Sequence, residues 1–427
     1  MKEKTEHELR IYAIELYQQG KGFESVLRQV GRFRSWFAKW LRRFRKQGKA
    51  GLKDQSRVPH GIWRETPAAV VKKVLLLRDA LEAHRTRRTA FSGIGAEAIQ
   101  WELERQRIRK IPSLRTIERI LERHGRTRPG PHHRSHGGGL PYPGPVAKQI
   151  GDLHQTDLVG PRHLRGPKGV TRFYSFHTVD VAGHTTATSQ APDKQAITLC
   201  RHLVGAWRSL GVPVVSQMDN EMAATGGGRY PHSLSQVIRL HLLLGVHLLF
   251  IPPGEPGRNA TVESFNGLWQ DRVLHRHSCP TLAHLRRVDR RFSHYYHYQK
   301  PHRALKDKDQ GTRFPGILRD RRWKQLSHLP PRFQLAAYLD AKAQLKFPVA
   351  KGKVSWIRKV DGRGHIDVNG KTYFIRRRLS GQYVIATLFT HRQRLVIKQE
   401  SKRIKSFPFP IQESRIIPLL SFIKGRS

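Results

Sequence analysis

Three acidic side chains from separate segments of the chain have the chemistry to hold divalent cations together. They are Asp157, Asp219 and Glu263. If they converge, they repel one another and raise one another's pKa values unless a cation neutralises them. An all-oxygen ligand set favours Mg²⁺ or Mn²⁺ over zinc, and two such ions about 4 Å apart suit an in-line displacement at a phosphoryl group. Spacing alone leaves open the other interpretation, in which the three carboxylates are unrelated helix caps and ion-pair partners.

The elements before Asp157 and Asp219 are predicted to be strands of one mixed sheet. Asp157 is expected near the exit of the first strand, and Asp219 directly after a buried strand, where ligands bind in sheets of this kind. Alternating polarity on both sides of Gly183 predicts that strands one to three form an antiparallel meander. The predicted strands cover residues 151–160, 171–180, 185–190, 212–218 and 246–251, with helices over 194–210 and 236–244.

Glu263 is predicted to lie near the start of a helix. Prolines and glycines end the strand before it, and apolar residues then recur at helical spacing from Val262 to Trp269. Glu263 and Asn266 are three residues apart, so they share another face of this helix. A carboxylate in a first helical turn is favoured by the helix dipole alone. The alternative is that the helix aims Glu263 at a group held by the preceding strands.

Several motifs in chain order carry a resemblance to a known family. They are His154-Gln-Thr-Asp157, Val179-Asp-Val-Ala-Gly183, Met218-Asp219-Asn220, Pro252 through Glu263-Ser-Phe-Asn266, and His297-Tyr-Gln-Lys-Pro301-His302-Arg303-Ala-Leu305. The block from about residue 150 to 305, roughly a third of the chain, resembles the integrase catalytic core of retroviral integrases and bacterial insertion-sequence transposases. The resemblance implies a ribonuclease-H-like fold in which Asp157, Asp219 and Glu263 are the catalytic Asp-Asp-Glu metal ligands of two Mg²⁺ or Mn²⁺ ions. Asp180 is then structural.

The chain departs from the family pattern at three places. Glu221 stands where family members usually have Gly after the Asp-Asn pair. The 43 residues between Asp219 and Glu263 exceed the usual spacing, and the excess is predicted to loop out near residues 223–233. Gln270 occupies a position where a basic residue is common. These departures leave the three carboxylates whole and bear on contacts with DNA ends.

Composition points to a polyanionic partner. The 427 residues include 79 Lys and Arg against 32 Asp and Glu, a net charge of +47 with a pI near 11.3. Such self-repulsion favours nucleic acid as the partner, with an anionic membrane as the rival. No run approaches 18 apolar residues and no signal peptide is recognisable, so we expect a soluble, cytoplasmic, nucleoid-associated protein of a bacterial cell without membrane contact. Cys200 and Cys279 support neither a disulfide framework nor a zinc site.

Two helical modules are predicted before the core. Residues 1–60 indicate three helices in a helix-turn-helix layout, and residues 61–126 a second module with Ser113 as an N-cap. The third helix carries cations of one sign, which suits a DNA groove, although a solvated basic face is the commoner meaning of a charge run. The predicted DNA contacts of the two modules are Arg34, Lys39, Arg42, Arg43, Arg45, Lys46, Arg115, Thr116 and Arg119.

The remaining segments connect or extend the core. Residues 127–147 are a Gly- and Pro-rich linker whose histidines lack the partners of a metal site. A connector over 311–350 follows the core, which spans 148–310. Residues 351–410 hold 15 Lys and Arg against three acids up to Lys405, together with a hairpin turning at Asn369-Gly370. This block predicts a small antiparallel β-barrel that contacts DNA, and residues 411–427 are a tail. Asn266, Lys371 and Arg376 complete the predicted DNA contacts.

The expected fold is multidomain, with α-helical helix-turn-helix modules, an α/β ribonuclease-H-like core with a mixed sheet, and a small C-terminal β-barrel. The expected function is that of a DNA transposase. It would bind element ends as a dimer or larger homo-oligomer, hydrolyse a strand with two divalent metal ions, and transfer the 3′-hydroxyl to target DNA. Two alternatives stay open: a DNA-binding regulator that has lost the chemistry, and a metal-dependent nuclease on the same fold.

Overall fold

The structure is a computed structural model that describes most of the chain. The described residues are 5–54, 66–127, 141–167, 169–220, 232–305, 312–411 and 416–417. They belong to two compact units, Met1–Ala68 and Ala69–Ser427. The connector after residue 54, the linker histidines, Glu221, most of the 223–233 loop and most of the tail lie outside the described residues, so the predictions made for them stay predictions.

The first unit is a bundle of three helices, as the apolar spacing predicts. The helices are Glu6–Gln18 (α1), Phe23–Val30 (α2) and Arg34–Gln47 (α3). A capping box between Thr5 and Glu8 starts α1, and Gly31, with a φ of 65°, ends α2 in the left-handed conformation that glycine tolerates best. Phe37 and Trp40 of α3 are buried in the small core of this unit. The helix-turn-helix assignment of this bundle stays a prediction.

The second unit begins with three more helices, Ala68–Ala83 (α4), Ala96–Arg105 (α5) and Leu114–Arg123 (α6). The side chain of Ser113 accepts a hydrogen bond from the backbone N–H of Thr116 at 3.2 Å, which confirms the predicted N-cap. The three helices bury a core of their own around Val74, Ile99 and Ile117.

The middle of the second unit is a mixed sheet with helices on both faces. Its strands are Leu153–Gly166 (β1), Gly169–Asp180 (β2), Thr186–Ala191 (β3), Val215–Met218 (β4) and His247–Phe250 (β5). Its helices are Ala196–Leu210 (α7), Gln236–Leu243 (α8), Ala260–Trp269 (α9), Leu282–Tyr298 (α10) and Pro315–Arg322 (α11). The meander β1–β2–β3 is antiparallel, as predicted, and β4 and β5 add in parallel beside β1.

Side chains of β2 point alternately to the two faces of the sheet, and each face packs against a different pair of helices. Phe176 faces the layer formed by α7 and α8, whereas Phe173 and Val179 face α9 and α10. Because side chains alternate along a strand, Ser175 and His177 face α9 as well. The sheet therefore directs a row of polar side chains at the helix that carries Glu263.

The C-terminal strands extend the core sheet, and the described residues do not confirm the separate barrel that the sequence suggested. The described strands are Val349–Ala350 (β6), Lys353–Lys359 (β7), His365–Val368 (β8), Lys371–Phe374 (β9), Tyr383–Phe389 (β10), Arg394–Gln399 (β11), Lys402–Pro408 (β12) and Ile416–Ile417 (β13). β7 pairs in parallel with β5, so β7, β10, β11 and β12 extend the core sheet to nine strands. The boundary predicted at residue 350 thus falls between strands that share one sheet and one apolar core.

The hairpin predicted in this region is confirmed. β8 and β9 form the predicted hairpin, and Asn369 and Gly370 both have positive φ angles, 51° and 77°, as a type I′ turn requires. The other predicted domain boundaries stay predictions. Within the described part of the chain, no helix is long and apolar enough to span a bilayer.

Two element boundaries differ from the prediction near the site. β1 continues to Gly166, so Asp157 lies inside a strand and not at its exit. The reason is that the parallel partner of β1 ends opposite Thr156, whereas its antiparallel partner β2 pairs with it to the end. The helix that carries Glu263 begins at Ala260, two residues before the apolar pattern, and a π-turn over Gln270–Leu274 follows it.

Candidate active site

Asp157 and Asp219 come from adjacent parallel strands. Thr156 of β1 pairs with Met218 of β4, so the next residue on each strand is an aspartate. β4 ends at Met218, which places Asp219 in the loop that leaves the sheet. The two carboxylates therefore lie at the same level of the sheet, each one residue after a paired position of its strand.

A glutamine on β1 fixes the start of the helix that carries Glu263. The Oε1 atom of Gln155 accepts hydrogen bonds from the backbone N–H groups of Thr261 (3.1 Å) and Val262 (3.3 Å). Both groups belong to the first turn of α9, where backbone donors have no partner within the helix. Gln155 precedes Asp157 by two residues and so lies on the same face of the strand.

A second glutamine repeats this arrangement on β4. Gln217 is the register partner of Gln155 and precedes Asp219 by two residues. Its Nε2 atom donates to the backbone oxygen of Arg258 and to the Oδ1 atom of Asn259, each at 2.9 Å. The two strands that carry the aspartates thus both hold the entry to α9, and Glu263 lies in its first turn.

The three carboxylates interact electrostatically. Burial raises the pKa of Asp157, and the negative charge of Asp219 raises it further. Burial also raises the pKa of Glu263, with Asp157 and Asp219 adding to the effect. The three predicted residues therefore lie near enough for their charges to influence one another. Among the described residues, however, no three His, Cys, Asp or Glu side chains are grouped so that they could hold a metal ion as they stand.

A buried chain of hydrogen bonds orients Asp157. The Nδ2 atom of Asn266 donates to Asp157 Oδ2 at 2.7 Å, and Asn266 Oδ1 accepts from His177 Nδ1 at 2.6 Å. The hydroxyl of Ser175 donates a hydrogen bond to His177 Nε2 at 2.7 Å. Burial lowers the pKa of His177 to about 4, so the imidazole is neutral near pH 7 and has one donor and one acceptor nitrogen.

Asn266 was also predicted to contact DNA, which stays a prediction, and its contacts in the structure indicate a different role. Its side chain is buried, and both polar atoms of the amide are engaged by Asp157 and His177. A DNA contact would leave these two buried partners unsatisfied, at a cost of about 1–3 kcal/mol each. The described contacts give Asn266 the role of holding a carboxylate.

An arginine of the C-terminal strands reaches the residue after Asp219. Arg358 of β7 is buried, and its guanidinium donates to Asn220 Oδ1 (2.7 Å) and to the backbone oxygens of Ile251 (3.2 Å) and Asp367 (2.7 Å). Burial lowers the pKa of Arg358 to about 10, against the favourable charges of Asp367 and Asp219. One side chain of the sheet extension therefore connects the ends of β4 and β5.

The loop before α9 is held by a second contact with the same strands. Glu255 accepts hydrogen bonds from the hydroxyl of Tyr383 (2.8 Å) and from Arg258 (3.0 Å). The guanidinium of Arg258 also stacks 3.9 Å from the ring centre of Tyr142. Tyr383 belongs to β10, so the C-terminal strands brace the loop that delivers Glu263.

The predicted DNA contacts of the first unit lie on one helix and differ in surroundings. Lys39, Arg42, Arg45 and Lys46 are exposed on α3. Arg34 is exposed but forms an ion pair with Glu24 at 3.1 Å. Arg43 is half-buried, where it covers the ring of Trp40 and donates to the backbone oxygen of Lys53 at 3.1 Å.

The other predicted DNA contacts are mostly surface residues. Arg115 and Arg119 are exposed on α6, and Arg115 forms an ion pair with Glu118 at 3.3 Å. Thr116 is half-buried beside Ser113. Lys371 and Arg376 are exposed near the β8–β9 hairpin. Whether any of them contacts DNA stays a prediction.

Residues 244–308 match the family model of the integrase core domain. Two curated relatives overlap with short parts of the chain. An uncharacterized 31.7 kDa protein of insertion element IS407 from Burkholderia multivorans is 46% identical over 61 residues, 14% of this chain and 22% of the relative. An uncharacterized 39.2 kDa protein of insertion element IS476 from Xanthomonas euvesicatoria is 38% identical over 58 residues, 14% of this chain and 17% of the relative.

Solved structures of retroviral integrases are also similar to this chain. The simian T-cell lymphotropic virus intasome in complex with a PP2A regulatory subunit matches with 14% identity and a TM-score of 0.32, over 73% of this chain and 93% of that one. The HTLV-2 integrase catalytic core domain in complex with magnesium matches with 13% identity and a TM-score of 0.30, over 41% of this chain and 99% of that one.

The family model and the two curated relatives confirm the resemblance drawn from the motifs. Residues 244–308 are similar to the integrase core domain, and short parts of the chain are similar to insertion-element proteins of bacteria. It spans only about a fifth of the length of the curated relatives that it matches. The match to the family model includes Glu263 and Asn266, whereas Asp157 and Asp219 lie before it.

Proposed function

We propose that this chain is a transposase that cuts and joins DNA strands at the ends of an insertion element. The observation that supports the proposal is the electrostatic interaction of Asp157, Asp219 and Glu263, which raises the pKa values of Asp157 and Glu263 beyond the effect of burial. The integrase core domain over residues 244–308 supports the same reaction class.

The donor set fits a hard divalent cation. All three side chains offer carboxylate oxygens, and two of them have pKa values raised by burial and by neighbouring negative charge, which a cation would relieve. Asp157, Asp219 and Glu263 would hold Mg²⁺ or Mn²⁺. Two such ions, when bound, activate an attacking oxygen and stabilise the leaving one in a phosphoryl displacement.

The protein's own residues supply orientation. Asn266 donates a hydrogen bond to Oδ2 of Asp157 and so fixes the orientation of this carboxylate. The glutamine pair Gln155 and Gln217 keeps the first turn of α9 against the sheet, so that Glu263 stays within reach of the aspartates. Catalysis of this kind needs ligands held in fixed positions by partners behind them.

The rest of the proposal concerns DNA. The exposed cations of α3 and α6 would bind the terminal repeats, and Lys371 and Arg376 would contact phosphates. Two element ends require two active sites, so we propose a dimer or larger assembly on DNA. Binding should weaken steeply with salt because each neutralised phosphate releases counterions.

The test combines labelled terminal repeats, a target duplex and Mg²⁺ or Mn²⁺. The wild-type chain should join strands, whereas Asp157→Ala, Asp219→Ala and Glu263→Gln should lose more than about 100-fold of this activity, because even partners behind a metal ligand cost 10–100-fold. All three variants should still bind the repeats. The exposed carboxylate Glu15 on α1 provides a matched control, and Glu15→Gln should leave joining unchanged.

The other outcomes separate the alternatives. Cutting without joining would identify a nuclease, and binding without either reaction would identify a regulator that has lost the chemistry. Near wild-type joining by any of the three carboxylate variants would refute the assignment of that residue.

A further inference from the structure

A large cleft lies between the second helical module and helix α10 of the core. Its volume is about 1400 Å³. One wall is formed by α5 and the segment before it, and the other by the exposed side of α10 and the residues that follow. Small-molecule pockets occupy about 300–1,000 Å³. The cleft is therefore large enough for a segment of a polymer.

The lining of the cleft is strongly cationic. It contains nine Lys and Arg side chains and three acidic ones. The acids are engaged: Glu102 pairs with Arg88 and Arg105, and Glu97 lies 3.8 Å from Arg303. Glu118, the third acid, pairs with Arg115. Positive charge in excess of these pairs faces the cleft.

The excess charge is concentrated on α10. Arg287 and Arg290 are exposed, lie three residues apart on one side of the helix, and form no ion pair with any described residue. Acidic partners would neutralise the positive charge of these two arginines. Because the described residues form no such ion pair with them, the charge remains available to a ligand in the cleft. Two arginines so placed suit successive phosphates, since Arg presents a planar fork to phosphate oxygens.

Aromatic rings accompany the arginines. Trp101 of α5 and Tyr298 of α10 line the cleft and are partly exposed. The hydroxyl of Tyr298 is fixed by Asp320 at 2.9 Å, and Trp101 packs edge-on against Phe314, so both rings have defined positions. Proteins that bind single strands combine a cationic groove with aromatic rings on which bases stack.

We propose that this cleft binds a single-stranded segment of DNA, with phosphates on Arg287 and Arg290 and bases on Trp101 and Tyr298. The inference rests on the proposed function, and it names a second DNA site on the same chain. It lies outside the three carboxylates and outside the residues predicted to read duplex repeats. A strand freed at an element end is the substrate that would occupy it.

The charge test uses the full chain and fluorescent oligonucleotides, single-stranded and duplex, at several salt concentrations. The double substitution Arg287→Gln/Arg290→Gln should reduce the slope of log affinity against log salt by about 1.4 for the single strand, at about 0.7 per phosphate contact. Affinity for the duplex should change little. The matched control is Lys194→Gln/Arg201→Gln, which removes two exposed cations at α7 and should leave both slopes unchanged.

The aromatic test separates stacking from general electrostatics. Trp101→Leu should weaken binding of the single strand at least about fivefold, the lower end of base stacking on one ring. Trp101→Phe should restore most of this loss because it keeps an aromatic face. Circular dichroism of each variant checks that the fold is retained.

The binding measurements test the cleft proposal independently of whether the chain joins strands. Unchanged single-strand binding by the arginine variant would refute the proposal, and so would an equal loss on single strand and duplex, which would indicate an unspecific electrostatic effect. Single-strand binding that survives Asp219→Ala but falls in the arginine variant supports the cleft even if no strand joining is found. If the wild-type chain joins strands but the cleft variants bind the single strand as tightly as the wild type does, the proposed function stands and the cleft proposal is refuted.

Discussion

At the scale of single residues, the candidate site consists of carboxylates that are costly to bury and polar partners that limit this cost. The pKa of Asp157 is raised by burial and by Asp219, while the hydrogen bonds from Leu158 N–H and from the Asn266 amide act in the opposite direction. Asn266 is in turn held by His177. The orientation of one ligand thus depends on side chains that never meet the substrate.

We expect Asn266→Ala to impair strand joining by about 10–100-fold, the usual effect of removing a partner behind a metal ligand. It removes a donor from Asp157 and an acceptor from His177, so the unfolding free energy should also fall by about 1–3 kcal/mol. The dependence of joining on Mg²⁺ concentration distinguishes a positioning role, because a misplaced ligand raises the concentration needed for half-maximal rate.

The control for Asn266 is its neighbour one turn along. Gln270 contacts the backbone oxygen of Asn266 and the side chain of Arg162 but none of the three carboxylates. Gln270→Ala should keep the wild-type Mg²⁺ dependence. An Asn266→Ala variant with wild-type Mg²⁺ dependence and lowered stability would show that the residue is structural only.

The sequence could predict the acids of the site but not the residues that hold them. Asp157, Asp219 and Glu263 are selected through the family motifs that contain them, because spacing alone leaves other interpretations open. Gln155 and Gln217 are not distinctive, although both precede an aspartate by two residues, and that shared spacing is the signal that indicates them in retrospect. Arg358 gives no local signal because its partners, Asn220 and Ile251, are more than a hundred residues away.

At the scale of elements, the C-terminal strands act as part of the core. β7 pairs with β5, and Arg358 on β7 joins the loop after β4 to the end of β5. Tyr383 on β10 holds the loop before α9 through Glu255. The loops that present Asp219 and Glu263 therefore depend on strands that the sequence assigned to a separate domain.

We expect Arg358→Lys to lower both stability and strand joining. Lysine keeps the positive charge but cannot reach Asn220, Ile251 and Asp367 together, as the planar guanidinium does. Leaving buried oxygens unsatisfied costs about 1–3 kcal/mol each, and misplacing the loop after β4 should reduce joining by at least tenfold. Denaturant unfolding and the joining assay measure the two effects.

Arg363 provides the matched control for Arg358. It is an exposed arginine in the turn after β7, and Arg363→Lys should change neither stability nor joining. Wild-type joining by Arg358→Lys would contradict a role of the C-terminal strands in the site. Loss of stability without loss of joining would restrict them to a scaffolding role.

The pairing of β7 with β5 was not predicted because strand pairing is not encoded within a strand. The alternating patterns of β7, β10 and β11 are visible in the sequence, and the Asn369-Gly370 turn fixes one hairpin. Nothing in those patterns says that β7 adds to β5, since any half-buried edge strand of similar polarity could do so. The helices of the first unit were easier, because helical spacing and caps are local signals.

At the scale of the whole molecule, net charge and buried histidines determine the response to solution conditions. The charge of +47 favours association with polyanions and opposes compactness in their absence. Buried histidines make a second contribution. Burial lowers the pKa of His241 and His247 to about 4, and that of His202 and His297 to about 3.

These histidines predict a loss of stability in acid. An unfolded histidine takes up a proton near pH 6.5, whereas each of these stays neutral in the folded state until pH 3 to 4, so the unfolded chain binds more protons in between. Their stabilising contribution is therefore full above about pH 6.5 and is lost progressively as the pH falls towards 4. Each unit of pKa difference corresponds to about 1.4 kcal/mol.

His241→Leu tests this prediction. His241 is fully buried in α8, and its Nδ1 atom donates to the Val237 backbone oxygen at 2.7 Å, a group already inside the helical ladder. Leucine fills a similar volume without titrating, so the urea midpoint should fall less steeply between pH 6.5 and 4.5 than in the wild type. His163 is exposed, so His163→Gln should leave the slope of the urea midpoint against pH unchanged. The measurements are made at high, constant ionic strength, which screens the changing repulsion between surface charges. A wild-type midpoint that is flat across this pH range would mean that these histidines take up protons in the folded protein as readily as in the unfolded chain, which would contradict the prediction.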